Sequence, residues 1–454
     1  MKGLLTQDQL KTLIESGEID TVLVCFPDMQ GRLLGKRVTG NYYLDVANKE
    51  VHACDYLLAL DMEMEPVQGF EASSWDLGYG DLALKPDPKT LRRIPWLPGT
   101  ALIMADCQDH HHQNLPHAPR SMLKHQLARA QKMGYTVNMA SELELYIYNE
   151  TFESARNKRY HGLNNAGWYI EDYHIFQTTK EEGLVRAIRN GMEGAGIPVE
   201  SSKGEWGPGQ EEINLRYADA LEMADRHVIY KNGAKEIALQ QGKSLTFMAK
   251  PDFKLAGNSC HIHCSLWNLD GSESAFYDKK NPQGMSKIFQ HFLAGQMKLA
   301  KEYTYFLAPF INSYKRFQSG SFAPTKAVWA VDNRTAGFRL VGEGSSLRTE
   351  CRIPGGDANP YLAFSAIIAA GLYGIENQLE LPPPFKGNAY ADTTLPEVPK
   401  TLRDALSALE GSKALRAAFG DQVIKHYLHA GQWEQQEYDR RVTDWEMERY
   451  FERA

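Results

Sequence analysis

Three short segments carry ionisable residues at every second position, where a buried strand would carry apolar ones. They are Glu142-Leu143-Glu144, His261-Ile262-His263-Cys264-Ser265 and Arg348-Thr349-Glu350-Cys351-Arg352. Side chains at i and i+2 of a strand share a face, so each segment turns two or three polar groups one way and apolar groups the other. One such strand reads as a solvated edge. Three of them, mixing carboxylate, imidazole and guanidinium, read as the lining of a metal- and phosphate-binding cavity. Isolated buried charges are too costly to keep unpaired, so the set implies bound cations and anionic substrates.

More carboxylates belong with them. Glu205 and Glu212 flank Trp206-Gly207-Pro208-Gly209-Gln210-Glu211, and a Gly-Pro-Gly turn cannot be a helix interior. The two glutamates therefore stand on either side of a sharp bend and can converge. Two like charges ~4 Å apart repel by about 4 kcal/mol at an effective dielectric of 20, so Glu142, Glu144, Glu205, Glu212 and Glu350 together need divalent ions. Hard oxygen ligands with one imidazole suit Mg²⁺ or Mn²⁺. The bland alternative is surface glutamates on unrelated strands. His261 and His263 share a face with Ser265 and can divide roles as metal ligand and phosphate donor, although either alone reads as a structural histidine. Arg316, Arg334, Arg339, Arg348 and Arg352 fall in a stretch rich in Gly, Ser and Asn. Several arginines aimed at one cavity would cradle a polyphosphate and an amino-acid carboxylate; an arginine-rich surface is the alternative. No Gly-x-x-x-x-Gly-Lys-Ser/Thr loop is present, so the nucleotide site is not of the P-loop type.

The elements that must position these residues fall into two groups. At 454 residues the chain exceeds one ordinary domain. A capping box at Thr6 and Gln9 opens a helix that Gly17 stops. A hairpin follows, from Thr21–Phe26 through Asp28 and Gly31 to Arg32–Val38, and a further strand covers Thr100–Asp106. Residues 108–119 are polar, His-rich and punctuated by proline, which marks a linker with His110, His111 and His112 solvated. The predicted division is a small α+β unit at 1–108 and a larger unit at 115–454. In the larger unit, Pro119 opens a helix that Gly134 closes, and strand Thr136–Tyr148 follows. Helix Lys180–Glu193 is capped by Thr179 and Glu182, and helices Ala218–Gln241, Gly284–Tyr303 and Pro360–Gln378 come later. Hydrophobic content of 43% and charged content of 24% suit a globular enzyme, and a net charge of −7 gives no reason to expect nucleic acid. No charged-then-apolar leader follows Met1, no apolar run spans a bilayer, and six scattered cysteines suit a reducing cytoplasm.

Taken together, these segments resemble the glutamine synthetase superfamily over nearly the whole chain. The motifs that carry the resemblance are Glu142-Leu-Glu144, Glu205-Trp-Gly-Pro-Gly-Gln-Glu-Glu212 and Gly257-Asn-Ser-Cys-His-Ile-His263-Cys-Ser265. Asn312-Ser-Tyr-Lys-Arg316, Asn333-Arg334 and Arg348-Thr-Glu350-Cys-Arg352 complete the set, with Asn359-Pro-Tyr361 behind it. The resemblance implies an N-terminal β-grasp domain, a catalytic domain built as an incomplete α/β barrel, and homo-oligomers of stacked rings (dodecamers) with active sites between subunits. It implies Glu144, Glu205 and Glu212 as ligands of one metal and Glu142, His261 and Glu350 as ligands of the other. His263, Ser265, Arg334, Arg339 and Arg348 fall on the ATP side. Gly257, Arg316 and Arg352 match glutamate-binding positions, with Arg316 and Arg334 also in catalytic roles. The implied chemistry is formation of γ-glutamyl phosphate from glutamate and ATP, followed by displacement of phosphate by a nitrogen nucleophile.

Two departures bear on that nucleophile. Ammonia-using members carry a flap glutamate in Tyr-Glu-Ala-Pro; here the stretch is Ser321-Phe322-Ala323-Pro324, so Phe322 stands in its place. The Asp-Gly-Ser-Ser stretch that supplies their ammonium-site aspartate is not recognisable. Ammonium capture uses negative charge, whereas a phenyl ring offers apolar surface. The sequence thus resembles the branch that joins glutamate to organic amines, with a role in amine catabolism. The alternatives are a glutamine synthetase using ammonium and a non-catalytic relative.

Overall fold

The computed structural model describes residues 3–281 and 283–454; Met1 and Lys2, at the head of the segment that reads without a leader pattern, and Pro282 lie outside them. The helix Gln7–Glu15 begins as its sequence requires, with the Thr6 and Gln9 side chains each bonded to the other's backbone. Strands β1 (Thr21–Pro27), β2 (Leu33–Thr39), β3 (Val51–Cys54), β4 (Asp81–Pro86), β5 (Arg92–Arg93) and β6 (Thr100–Gln108) form one sheet in the order β2-β1-β6-β4-β3, with β5 also on β6. The β1–β2 hairpin is antiparallel, and β1 runs parallel to β6, as in a β-grasp sheet. Its turn is tied by Asp28, whose carboxylate accepts from the Gln30 and Arg32 amides at 3.0 and 2.8 Å. One face of β1, through Val22, Val24 and Phe26, packs on Leu10 and Ile14. Leu23 and Cys25 on the other face join the core of the second unit. This two-sided burial explains why β1 reads as an unbroken apolar run.

The second sheet holds β7 (Tyr135–Tyr148), β8 (Val199–Gly204), β9 (Gln210–Leu215), β10 (Ala218–Asp219), β11 (Ser244–Thr246), β12 (Cys260–Asn268), β13 (Trp329–Val331), β14 (Phe338–Val341) and β15 (Arg348–Cys351). Its order is β13-β14-β15-β12-β7-β9-β8, with β10 and β11 paired to the two ends of the long β7, which gives a barrel-like wall. Helices Pro119–Lys132 and Ala220–Gln240 pack against β7, and the apolar helix Pro360–Glu376 packs against both. Among the described residues, no helix is long and apolar enough to cross a membrane.

Two polar devices lock the sheets together. Arg120 bonds Asp106 on β6 at 2.6 Å, Asp87 at 2.8 Å and Asp225 at 3.0 Å, and the Tyr361 hydroxyl donates to Asp225 at 2.5 Å. Asn359 caps the helix that begins at Pro360 and donates to the Asp28 and Met29 carbonyls at 3.1 and 3.0 Å. The Asn359-Pro-Tyr361 motif therefore anchors the hairpin to the barrel.

Three sequence expectations shift. The Thr179–Glu182 capping box does not form: a helical turn at Ile175–Thr178 runs into the helix, and the Thr179 hydroxyl donates to Ile175 O at 2.9 Å. The Gly284–Tyr303 helix is two helices, Lys287–Lys298 and Ala300–Leu307, broken at Leu299. Ala218 and Asp219 pair with β7, so the following helix starts at Ala220 with Asp219 as its cap. The histidine run at 110–112 is exposed, as its composition suggests, but His117 is buried.

Candidate active site

Strand register builds the site. Glu142 stands opposite His261 on β12 and Asn214 on β9, while Glu144 stands opposite Glu212 on β9. Glu350 on β15 stands opposite His263 on β12 and Arg339 on β14. Strict alternation sends Leu143, Leu145, Ile213, Ile262 and Cys351 into the core behind.

Two groups of ligand atoms result. Glu144, Glu205 and Glu212 each present an oxygen within 4.8 Å of the others. Burial, together with Glu205 and Glu212, pushes the Glu144 carboxyl far above its ordinary range. Burial and Glu142 push Glu212 up to about 8. The second group centres on Glu142, whose oxygens lie 3.2 Å from His261 Nδ1 and 2.9 Å from His263 Nε2; His261 Nδ1 is 3.6 Å from Glu350. Glu142, Glu212 and His261 also converge within 4.8 Å, as do Glu142, His263 and Glu350, so the two groups share members. Burial and then Arg352 lower His261 to about 4, leaving the neutral imidazole that ligates metals. Its Nε2 is buried without a partner among the described residues. The Glu350 carboxyl is raised by burial but lowered more by His261 and Arg352, so its net shift is downward. Hard oxygens, a neutral imidazole with a spare nitrogen and uncompensated carboxyls fit a divalent cation.

On one flank, Glu142, His263, Ser265, Arg348 and Ser346 line a cavity of about 360 Å³. Arg348 Nε donates to His263 Nδ1 at 3.1 Å. Arg339 spans Asp332 and Glu350. Arg334 is the member of the set left outside this cluster: it is exposed and lines a separate cavity with Asn333 and Phe385.

On the other flank, Arg316 is buried, donates to Ile353 O and to Ser259 Oγ at 3.2 Å, and keeps an Nε with no partner among the described residues. Gly257 lies against it: an added Cβ would sit 2.6 Å from Arg316 Cγ and 2.6 Å from Ala249 O, so only glycine fits. Arg352 bonds Glu350 at 2.5 Å and approaches the Phe322 carbonyl at 3.5 Å. Phe322 holds a left-handed backbone with φ 60°, rare for a bulky residue. It is 52% exposed, and its ring centroid lies 6.0 Å from that of Trp206, which is 49% exposed.

Several participants were not singled out from sequence. Lys203 pairs with Glu205 and stands opposite Glu212; its place two residues before Glu205 was a usable signal. Gln210 donates to Glu144 at 3.3 Å, Gly257 O at 3.0 Å and Asn258 Oδ1 at 2.9 Å, tying the turn to the glycine loop. The Tyr146 hydroxyl donates to Ala256 O at 2.9 Å, and a Cβ on Gly207 would lie 1.8 Å from that hydroxyl.

The fold is of the glutamine synthetase type, and the chain belongs to that family: residues 116–450 match the glutamine synthetase catalytic domain. The family uses ATP and divalent metals with small-molecule substrates. Among its relatives, a gamma-glutamylethanolamide synthetase, GlnA4 of Streptomyces coelicolor, is 50% identical over 98% of this chain and 96% of its own length. A glutamate–isopropylamine ligase of Pseudomonas sp. is 36% identical over 98% of this chain and 97% of its own length. The solved structure of apo GmaS without ligand superposes with a TM-score of 0.85 at 28% identity, covering 97% of this chain and 99% of that one.

Proposed function

We propose that this chain is an ATP-dependent carbon–nitrogen ligase joining the γ-carboxylate of L-glutamate to a primary organic amine. The observation that carries the reading is Phe322: an exposed ring on a strained turn, facing Trp206 and tethered to Arg352, where an ammonium site would carry a carboxylate. The names of the two amine-using relatives point the same way.

Glu144, Glu205 and Glu212 would hold one Mg²⁺ or Mn²⁺, and Glu142, His261 and Glu350 the other. Bound there, the ions would draw charge from the transferring phosphoryl group. His263, Ser265 and Arg348 would face the nucleotide, with Arg339 toward its phosphates, while Arg334 lies apart from them on its own cavity. Arg316 and Arg352, beside Gly257, orient glutamate. A γ-carboxylate oxygen attacks the γ-phosphorus and ADP leaves. The free amine, its ammonium proton lost to solvent, then attacks the γ-carbonyl carbon; the carbon–oxygen bond breaks, and the proton shed by the new amide nitrogen leaves with phosphate. Phe322 and Trp206 cover the amine's apolar part and keep water from the acyl phosphate.

The unit at 1–108 serves as the β-grasp domain and 115–454 as the catalytic domain; the separate hydrophobic cluster of the first sheet supports that division. Exposed Trp168, Tyr169, Ile175 and Phe176 support an interface between copies of this chain, and the family resemblance is what implies stacked rings, a dodecamer. Six free cysteines suit work in the cytoplasm. Phosphate release with glutamate, MgATP and ammonium, methylamine, ethanolamine, putrescine, spermidine or aniline tests the function. Turnover with an organic amine is expected, and a response to ammonium alone would overturn the reading.

A further inference from the structure

We propose that Glu171, Glu181 and Glu211 form a further cation site, separate from the catalytic pair and on the opposite side of β9. Glu211 neighbours Glu212 in the strand, so its side chain points to the other face. There it stands opposite Leu145 on β7 and Gly204 on β8. The three glutamates are 0%, 1% and 1% exposed, respectively. One oxygen from each lies within 4.8 Å of the other two.

What points to a ligand is the state of those oxygens. Glu181 is buried with neither carboxylate oxygen hydrogen-bonded, and Glu171 Oε2 and Glu211 Oε1 are also without partners among the described residues. Glu171 Oε1 alone of this group is seen to accept, from Gly209 N at 2.9 Å. The basic side chains nearby are engaged elsewhere. Arg189 binds Glu182 at 2.6 Å and Ser202 at 2.7 Å. Lys180 binds Gln177 and lies 4.4 Å from the Trp168 ring centre, while Lys243 binds Asn149. Buried carboxylates left so are strongly unfavourable, and a shared cation is what this donor set accommodates. Oxygen atoms that close can ligate one ion at about 2.0–2.6 Å, and an all-carboxylate set selects a hard divalent cation: Mg²⁺, Mn²⁺ or Ca²⁺.

The position gives the ion a task. The Glu171 amide donates to Glu205 O at 3.2 Å, and its carboxylate holds Gly209. An ion on the triad therefore braces, from behind, the turn that carries Glu205 and Glu212 to the catalytic face. It positions the turn and touches no substrate.

Mn²⁺ retained per chain, measured on the full-length protein by equilibrium dialysis with elemental analysis, tests the site. Glu181→Gln and Glu171→Gln should each retain one Mn²⁺ fewer than the unmodified chain. A Glu142→Ala/Glu144→Ala variant, which breaks every ligand group of the catalytic face, should still retain one, and adding Glu181→Gln should remove it. If either single variant misfolds, that pair of catalytic-cluster variants decides the matter. Equal Mn²⁺ in the unmodified, Glu181→Gln and Glu171→Gln chains would overturn the site and leave three carboxyls sharing protons. So would a Glu142→Ala/Glu144→Ala variant that retains none.

Discussion

Glu205 and Glu350 reach the site by different routes, one from a turn and one from the middle of a strand, yet each faces a cluster that its absence would open. Glu205→Ala or Glu350→Ala should lower γ-glutamyl transfer by more than about a hundredfold with the fold intact by circular dichroism. Near-normal turnover in saturating Mg²⁺ would remove these residues from the metal sites. Arg352 depends on its fork, because a lysine cannot bond a carboxylate in two places. A charge-assisted bond to a buried group contributes about 1.5–3 kcal/mol, so Arg352→Lys should raise the KM for glutamate roughly ten- to a hundredfold. An unchanged KM would give Arg352 another role. At this scale the sequence was readable because alternation puts Glu142 and Glu144, or His261 and His263, on one face before any contact is known. Gln210 and Asn258 were harder: a lone amide has no periodic signature, and its value here comes from bonds to Glu144 and Gly257 that only the assembled strands create.

Strands and helices were legible to the extent that their signals are local. The capping box at Thr6, the stop at Gly134 and the hairpin turn at Asp28 lie where sequence puts them. Thr179 failed as a cap because its own backbone is helical (φ −58°, ψ −25°), continuing the turn before it, and its hydroxyl donates back to Ile175 O. The break at Leu299 carries no glycine or proline to mark it, and the helix before it makes its own contacts with helix Pro360–Glu376. One of those contacts is testable. Helix Lys287–Lys298 approaches helix Pro360–Glu376 through Gly295, where an added Cβ would lie 2.2 Å from Ala370 O and 2.6 Å from Gly374 N. Gly295→Ala should therefore destabilise the protein by about 1–3 kcal/mol in urea unfolding, since backbone at that distance cannot yield as a side chain would. A variant as stable as the parent would mean that these helices slide freely.

Across the whole molecule, the concentration of buried carboxyls should make stability depend on pH and metal together. Without metal, Glu181, Glu211 and Glu212 are pushed up to about 7, 9 and 8, by burial first and then by neighbouring carboxylates. Between pH 6.5 and 8 the unfolded chain has released these protons while the folded chain still holds part of them. The folded state thus binds more protons, and stability falls as pH rises. The metal-free protein should show a decreasing Tm across that window, flattened by saturating Mg²⁺; a rising Tm without metal would contradict the burial of these groups. The central claim, however, concerns the nucleophile. Phe322 offers apolar cover, at about 25 cal/mol per Å² removed from water, to an amine that carries carbon and nothing to ammonium. The most direct test is kcat/KM for ammonium and for the best organic amine, measured in parallel on the unmodified protein and on Phe322→Glu. The organic amine should lead by at least about tenfold, a difference of ~1.4 kcal/mol, and Phe322→Glu should narrow the gap. Ammonium as the better substrate of the unmodified protein would contradict the amine-ligase account and make this chain a glutamine synthetase with an unusual flap.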